Sequence, residues 1–160
     1  MPSLGSDLDF VKVLTQGYYF HGLGPVVLAS AVRLGGLFGR DSLFSERFFT
    51  GGGTTVRGYK EESLGPEFFG EPDGGDGLLV LNQEARVHVW KWIGAVGFVD
   101  AGNAFAEPSE VSLEDLKVGI GAGLRLDTPF VLLRLDYGIP VPRPEGSPFG
   151  RWYFSLGHVF

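Results

Sequence analysis

The chain contains no cysteine, which excludes a disulfide framework and a thiolate metal site and leaves the compartment open. It is also poor in charge: 20% of its residues are charged, below the usual share of about a quarter. The net charge of −6 gives no reason to expect a nucleic-acid partner. No apolar run reaches the roughly eighteen residues that a transmembrane helix needs. The first residues, MPSLGSDLDF, have neither the basic start nor the apolar core of a secretory signal. Either the protein stays inside the cell or Met1 is not its natural start. What the chain has in abundance is aromatic residues, at 14%, and glycine, at 26 of 160 residues. That profile suits an all-β protein with many turns, or a membrane barrel, better than a helical one.

Residues that alternate apolar and polar with period two fall on opposite faces of a pleated strand. Asp7 to Phe20 reads as a strand whose faces do not separate cleanly, with a turn at His21 to Pro25. Val26 to Gly35 sets Val26, Leu28, Ser30, Val32 and Leu34 against Val27, Ala29, Ala31 and Arg33. Leu78 to Trp90 sets Leu79, Leu81, Ala85, Val87 and Val89 against Asn82, Glu84, Arg86 and His88, with Gln83 the exception on the apolar side. After a tight turn near Lys91, Trp92 to Phe105 puts Ile93, Ala95, Val99 and Ala101 opposite Phe98 and Asp100. Leu116 to Asp127 alternates apolar residues with Lys117, Gly119, Gly121, Gly123, Arg125 and Asp127. Following a turn at Thr128-Pro129, Phe130 to Ile139 sets Val131, Leu133, Leu135, Tyr137 and Ile139 against Arg134 and Asp136. A proline-rich connection from Pro140 to Gly150 leads to a last strand, Arg151 to Phe160. There Trp152, Phe154, Leu156 and Phe160 oppose Tyr153, Ser155 and Gly157.

The segment 37–77 is different. It is a connection of roughly forty residues, and loops of that size tend to be functional or disordered. Its composition argues against disorder, because Phe44, Phe48, Phe49, Val56, Tyr59, Phe68 and Phe69 are expected to anchor it. It carries Gly51, Gly52 and Gly53 and then Val56-Arg57-Gly58-Tyr59. It reads as a loop that folds back and packs on something, with Arg57 at its tip.

Two regularities bear on fold. The connections alternate short and long, as in transmembrane barrels with short periplasmic turns and long outer loops. The strands set full charges opposite wholly apolar faces. A soluble sandwich would turn its apolar face to another sheet, whereas a barrel would turn it to lipid and line its lumen with the charges. Alternation alone does not choose between them. Three features favour the membrane. Strands of about ten to thirteen residues exceed the common five or six. Trp90, Trp92 and Trp152 fall near strand ends, where an aromatic girdle would lie. The polar face with Gly119, Gly121 and Gly123 leaves room for a plug or loop.

The run RFFTGGGTTVRGY, then LNQEARV, GFVDAGNAF, GAGLRLDTPFVLLRLDYGIPV and RWYFSLGHVF resembles the C-terminal half of the outer-membrane assembly and translocation barrels. These are the BamA and TamA kind, the bacterial surface antigen family, and the resemblance covers nearly the whole chain. It implies an all-β antiparallel meander of about seven strands within a barrel of about sixteen. Residues 1–160 would be the C-terminal part of that barrel, in the outer membrane of a bacterium or of an organelle of bacterial origin. The long loop would fold into the lumen, where Arg57 would meet Glu84 and Asp100, which stand where the family's acidic partners stand. Gly51, Gly52, Val56, Arg57, Gly58 and Tyr59 carry the loop motif. The resemblance places Gly157 at the kink of the family's final strand, beside the seam where first and last strands meet, while packing alone is the competing reading for that glycine. Phe160 resembles the terminal aromatic that assembly machinery recognises. Implied partners are outer-membrane lipid, unfolded outer-membrane protein clients, and periplasmic repeat domains or accessory subunits of the parent. The implied activity is insertion or translocation of other outer-membrane proteins without covalent chemistry. With far fewer strands than the family needs, the chain is expected to be a piece of a larger barrel.

Other chemistries fit less well. Phe98-Val99-Asp100-Ala101-Gly102 resembles an aspartic-protease motif, but alanine replaces the hydroxyl residue and no second such motif supplies a dyad. The three glycines of the loop lack the Gly-Lys-Ser/Thr ending of a phosphate loop. His21, His88 and His158 are not spaced as a metal site. No catalytic residue, metal or cofactor is therefore expected. Two other functions remain open: a soluble all-β binding module, and a related secretion pore for one dedicated partner.

Overall fold

The computed structural model describes residues 10–39 and 44–157. Seven long strands form one antiparallel sheet. They are β1 (Phe10–Leu23), β2 (Val26–Gly39), β5 (Gly77–Trp90), β6 (Ile93–Phe105), β7 (Lys117–Asp127), β8 (Leu132–Val141) and β9 (Arg151–Leu156), each paired with the next in the chain. Two short strands, β3 (Glu67–Phe68) and β4 (Glu71–Pro72), form a separate hairpin inside the long loop between β2 and β5. The sheet is not closed: among the described residues β1 and β9 each have one strand neighbour.

Short turns gather at one end of the sheet. Gly24 and Pro25 alone separate β1 from β2, and Gly24 supplies the left-handed φ of +61° that so tight a reversal requires. Lys91 and Trp92 link β5 to β6, beside a register shift between His88 and Trp90. Thr128 closes the third turn through its backbone N–H and hydroxyl, which both donate to the Val131 carbonyl. This turn takes in Phe130 and Val131, so β8 begins at Leu132, later than the alternation suggests. Conversely, β1 runs through His21 to Leu23, and the expected turn shrinks to two residues. The part of that expected strand before Phe10 lies outside the described residues. All the long connections lie at the other end.

The alternation has become two chemically distinct faces. Val32, Leu34, Val99, Ile120, Leu124, Leu135, Trp152, Phe154 and Leu156 stand exposed on the outer face. This is the band a membrane barrel offers to lipid. Its polar exception, Gln83, is paired: the Ser30 hydroxyl donates to the Gln83 amide oxygen directly across the β2–β5 ladder. A polar group set among apolar ones needs such a partner. The inner face buries Ala29, Ala31, Val80, Asn82, Glu84, Phe98, Asp100, Arg134 and Asp136.

The long loop lies against that inner face. Leu37, Phe48, Leu78 and Val80 form one buried apolar cluster, and Val56, Tyr59 and Leu64 form another. Phe68 and Phe69 depart from expectation, since they are exposed rather than anchoring, Phe69 at 93%. They stack edge-to-face at the hairpin tip, where Phe69 adopts φ +52° and turns its ring away from the wall. Phe44 is likewise exposed, edge-on to Phe49.

Candidate functional site

The loop enters the interior because the wall facing it is made of small residues. Across the ladders, Asp100 of β6 stands opposite Gly119 of β7, and Phe98 opposite Gly121. Gly121 in turn faces Gly138 of β8. A Cβ at Gly119 would overlap the Arg57 carbonyl oxygen, and one at Gly138 would stand 2.6 Å from the Gly58 nitrogen. These glycines form a trough, and the loop backbone at Arg57-Gly58 lies in it. Gly51, Gly52 and Gly58 take φ of +103°, +98° and +107°, which the reversal requires. Gly53 does not share that conformation.

Polar tethers fix the loop along its length. Arg33 donates to the Thr54 carbonyl at 2.6 Å and Asn82 to the Thr55 carbonyl at 2.7 Å. The Tyr59 hydroxyl donates to the Val118 carbonyl at 3.2 Å. Burial pushes the Tyr59 phenol up from its ordinary pKa.

Arg57 is 1% exposed, and its guanidinium meets three carboxylates on three strands. Nε and Nη2 grip the Asp100 oxygens at 2.6 and 2.8 Å. Nη1 donates to Glu84 at 2.7 Å and to Asp136 at 3.1 Å. The guanidinium carbon lies 3.5 Å from the centre of the Phe98 ring, so an aromatic face closes the remaining side. Burial by itself would lower the pKa of Arg57. The Asp100 hydrogen bond and the charges of Asp100, Glu84 and Asp136 more than reverse this, and the proton is held above the ordinary arginine range.

The three acids are held in turn. Arg86 donates to Glu84 at 2.8 Å, Arg134 to Asp136 at 2.6 Å, and Asn82 to Asp100 at 2.8 Å. Arg125 also bonds Asp136. Four arginines thus interleave with three carboxylates. A buried charge is tolerable only with such pairing, and the planar fork of arginine suits simultaneous contact with several carboxylates. The arrangement joins the loop to β5, β6 and β8 at one point.

The structure brings Arg57, Glu84 and Asp100 together, and it adds Asp136. That residue shares its parity with Arg134, so the alternation along β8 already carries the signal. Tyr153 of β9 is a further member: its hydroxyl accepts from the Gly58 N–H at 2.8 Å. Gly157 directly follows β9 with φ +91°, and a Cβ there would meet nothing within 4 Å. Backbone conformation, not close packing, is what calls for glycine there. Phe160 and His158 lie outside the described residues.

Residues 1–160 match the model of the Omp85 superfamily domain. The chain belongs to the Omp85 superfamily. Its similarity to an outer membrane protein assembly factor, BamA of Nitratidesulfovibrio vulgaris, is 30% identity over 98% of this chain and 21% of that protein. The chain therefore spans about a fifth of the length of that curated relative. The crystal structure of BamA from Haemophilus ducreyi lacking POTRA domains 1–3 superposes with a TM-score of 0.75 at 19% identity. That superposition covers 96% of this chain and 36% of the solved one. As an Omp85 chain, the seven-stranded sheet is part of an outer-membrane β-barrel.

Proposed function

We propose that this chain supplies the C-terminal strands of a barrel that inserts or translocates other outer-membrane proteins, and that its long loop is a lumenal strut. Arg57 is the strut's foot. The barrel works with unfolded outer-membrane protein clients and with periplasmic domains or accessory subunits of the parent protein. The observation that carries this reading is the seating of one arginine on Glu84, Asp100 and Asp136 of three separate strands. A loop held so firmly ties β5, β6 and β8 into one rigid wall. An assembly barrel needs a wall that keeps its shape while a neighbouring seam opens, and the strut provides it.

Charge reversal in the full-length protein tests the proposal. Arg57→Glu places a fourth carboxylate among three and should impair client insertion into lipid vesicles. Adding Asp100→Arg should restore part of the rate. A folded, membrane-inserted Arg57→Glu barrel that assembles clients at the parent rate would overturn the strut reading.

A further inference from the structure

Tyr153 joins the edge strand to the loop motif. Its hydroxyl accepts from the Gly58 N–H at 2.8 Å and donates to the Tyr59 carbonyl at 2.6 Å. The phenol therefore uses its proton and a lone pair on two consecutive residues directly after Arg57. Its ring lies against Gly53, where an added Cβ would stand 3.1 Å from it. In the ladder, Tyr153 stands opposite Asp136, itself one of the three acids that hold Arg57.

The placement matters because, among the described residues, β9 is the shortest strand of the seven-stranded sheet. Its six residues pair with β8 alone among the described residues, whereas β8 has ten. Of its inward residues, Tyr153 alone makes side-chain hydrogen bonds to the loop among those described. A slip of β9 by one residue along β8 would turn Tyr153 to the opposite face. A slip by two would carry it about 6.6 Å along the strand, beyond hydrogen-bond reach. Neither movement can keep both bonds.

We propose that Tyr153 is a positioning residue that couples the register of the edge strand to the seating of the loop. While Gly58 and Tyr59 sit in their trough, β9 is held in place. When β9 shifts, the two bonds that steady the loop beyond Arg57 are lost. Such coupling is reciprocal, so loosening either element loosens the other by the same factor. This inference rests on the strut reading for its functional meaning, but the coupling itself is testable apart from it.

The test uses the full-length barrel in lipid nanodiscs. Tyr153→Phe keeps the ring on Gly53 and removes the oxygen. Amide hydrogen exchange is then compared at two neighbours: Gly58, whose N–H is bonded to Tyr153, and Arg57, whose N–H is bonded to Asp100 at 3.1 Å. Loss of one such hydrogen bond should speed exchange at Gly58 roughly tenfold, while Arg57 keeps its protection. Spin labels at Glu62→Cys and Leu156→Cys, both exposed sites, should show a broadened distance distribution in Tyr153→Phe. Arg57→Ala should broaden it too, by reciprocity. Gly53→Ala provides a second variant, since it displaces the phenol without removing it and should act in the same direction.

Unchanged exchange at Gly58 would overturn the coupling. Equal acceleration at Arg57 and Gly58 would also overturn it, because Tyr153 would then merely stabilise the fold. A distance distribution untouched by Arg57→Ala would overturn the reciprocity and the proposal with it. If exchange and distances respond as stated but Arg57→Glu leaves client insertion intact, the coupling stands and the strut reading alone falls.

Discussion

Arg57 and Asp100 are joined three times: through Nε at 2.6 Å, Nη2 at 2.8 Å and the Arg57 backbone N–H at 3.1 Å. The carboxylate therefore fixes the side chain and the main chain of the loop at one point. Asn82 adds a donor to the same carboxylate at 2.8 Å, so both oxygens are occupied. The acid is the centre of the fastening, and Glu84 and Asp136 brace it from either side.

This geometry ranks the acids. Asp100→Ala removes three loop contacts and leaves a buried guanidinium short of its main partner. Breaking a buried pair costs about 3–5 kcal/mol. Glu84→Gln removes one negative charge beside Arg57 but keeps an amide oxygen to accept from its Nη1, and should cost less. Limited proteolysis of the loop in the inserted barrel checks the order, with Asp100→Ala cut fastest.

Arg57→Lys keeps the charge but loses the fork. An ammonium cannot span Asp100 bidentately while reaching Glu84 and Asp136. The variant should therefore resemble Arg57→Ala in client insertion more than the parent protein. Insertion rates of the three side by side decide the matter. Parent-like activity of the lysine variant would mean that charge alone suffices.

The trough makes a steric prediction. Gly119→Ala drives a methyl group into the Arg57 carbonyl oxygen, whereas Gly97→Ala meets nothing within 4 Å. Overpacking a filled site costs about 1–3 kcal/mol or more. Gly119→Ala should lower the thermal unfolding temperature in detergent and expose the loop to protease. Gly97→Ala should do neither.

On the exposed apolar face, Ser30 and Gln83 form a cross-strand pair. Ser30→Ala leaves the Gln83 amide short of a partner, at a cost of about 1–3 kcal/mol. The double variant Ser30→Ala with Gln83→Leu removes both polar groups and should be close to neutral. Urea unfolding from lipid vesicles measures the non-additivity.

An arginine at Ile120 tests the membrane orientation of the sheet. Ile120 is 42% exposed on the outer face, opposite Val99 and Ile139. A cation near the bilayer midplane of a barrel costs about 2–4 kcal/mol. Ile120→Arg should therefore impair insertion, whereas Ile120→Leu, which keeps the apolar surface, should be mild by comparison. Equal effects would count against a lipid-facing outer wall.

Much of this architecture is written in the period of two. Apolar and polar residues alternate along the long strands from β2 to β9, so the division into two faces and the place of Glu84 and Asp100 on the polar one follow from parity, whereas which face is the inner one does not. The alternation of short and long connections places the loop at one end of the sheet, and its aromatics and glycines mark it as a packed segment. Parity says which face a residue occupies but not how far along the barrel it stands. That height depends on the register between strands, which only the hydrogen-bonded ladders set. Asp136 and Arg134 share the inward face of β8, yet the β7–β8 and β8–β9 registers decided that Asp136 reaches Arg57 and stands opposite Tyr153. The exposure of Phe68 and Phe69 was decided in the same way, because a hairpin formed within the loop and turned them off the wall. Alternation is local and survives in the sequence; the meeting of Arg57 with residues as many as 79 positions away is long-range, and only the assembled sheet could bring it about.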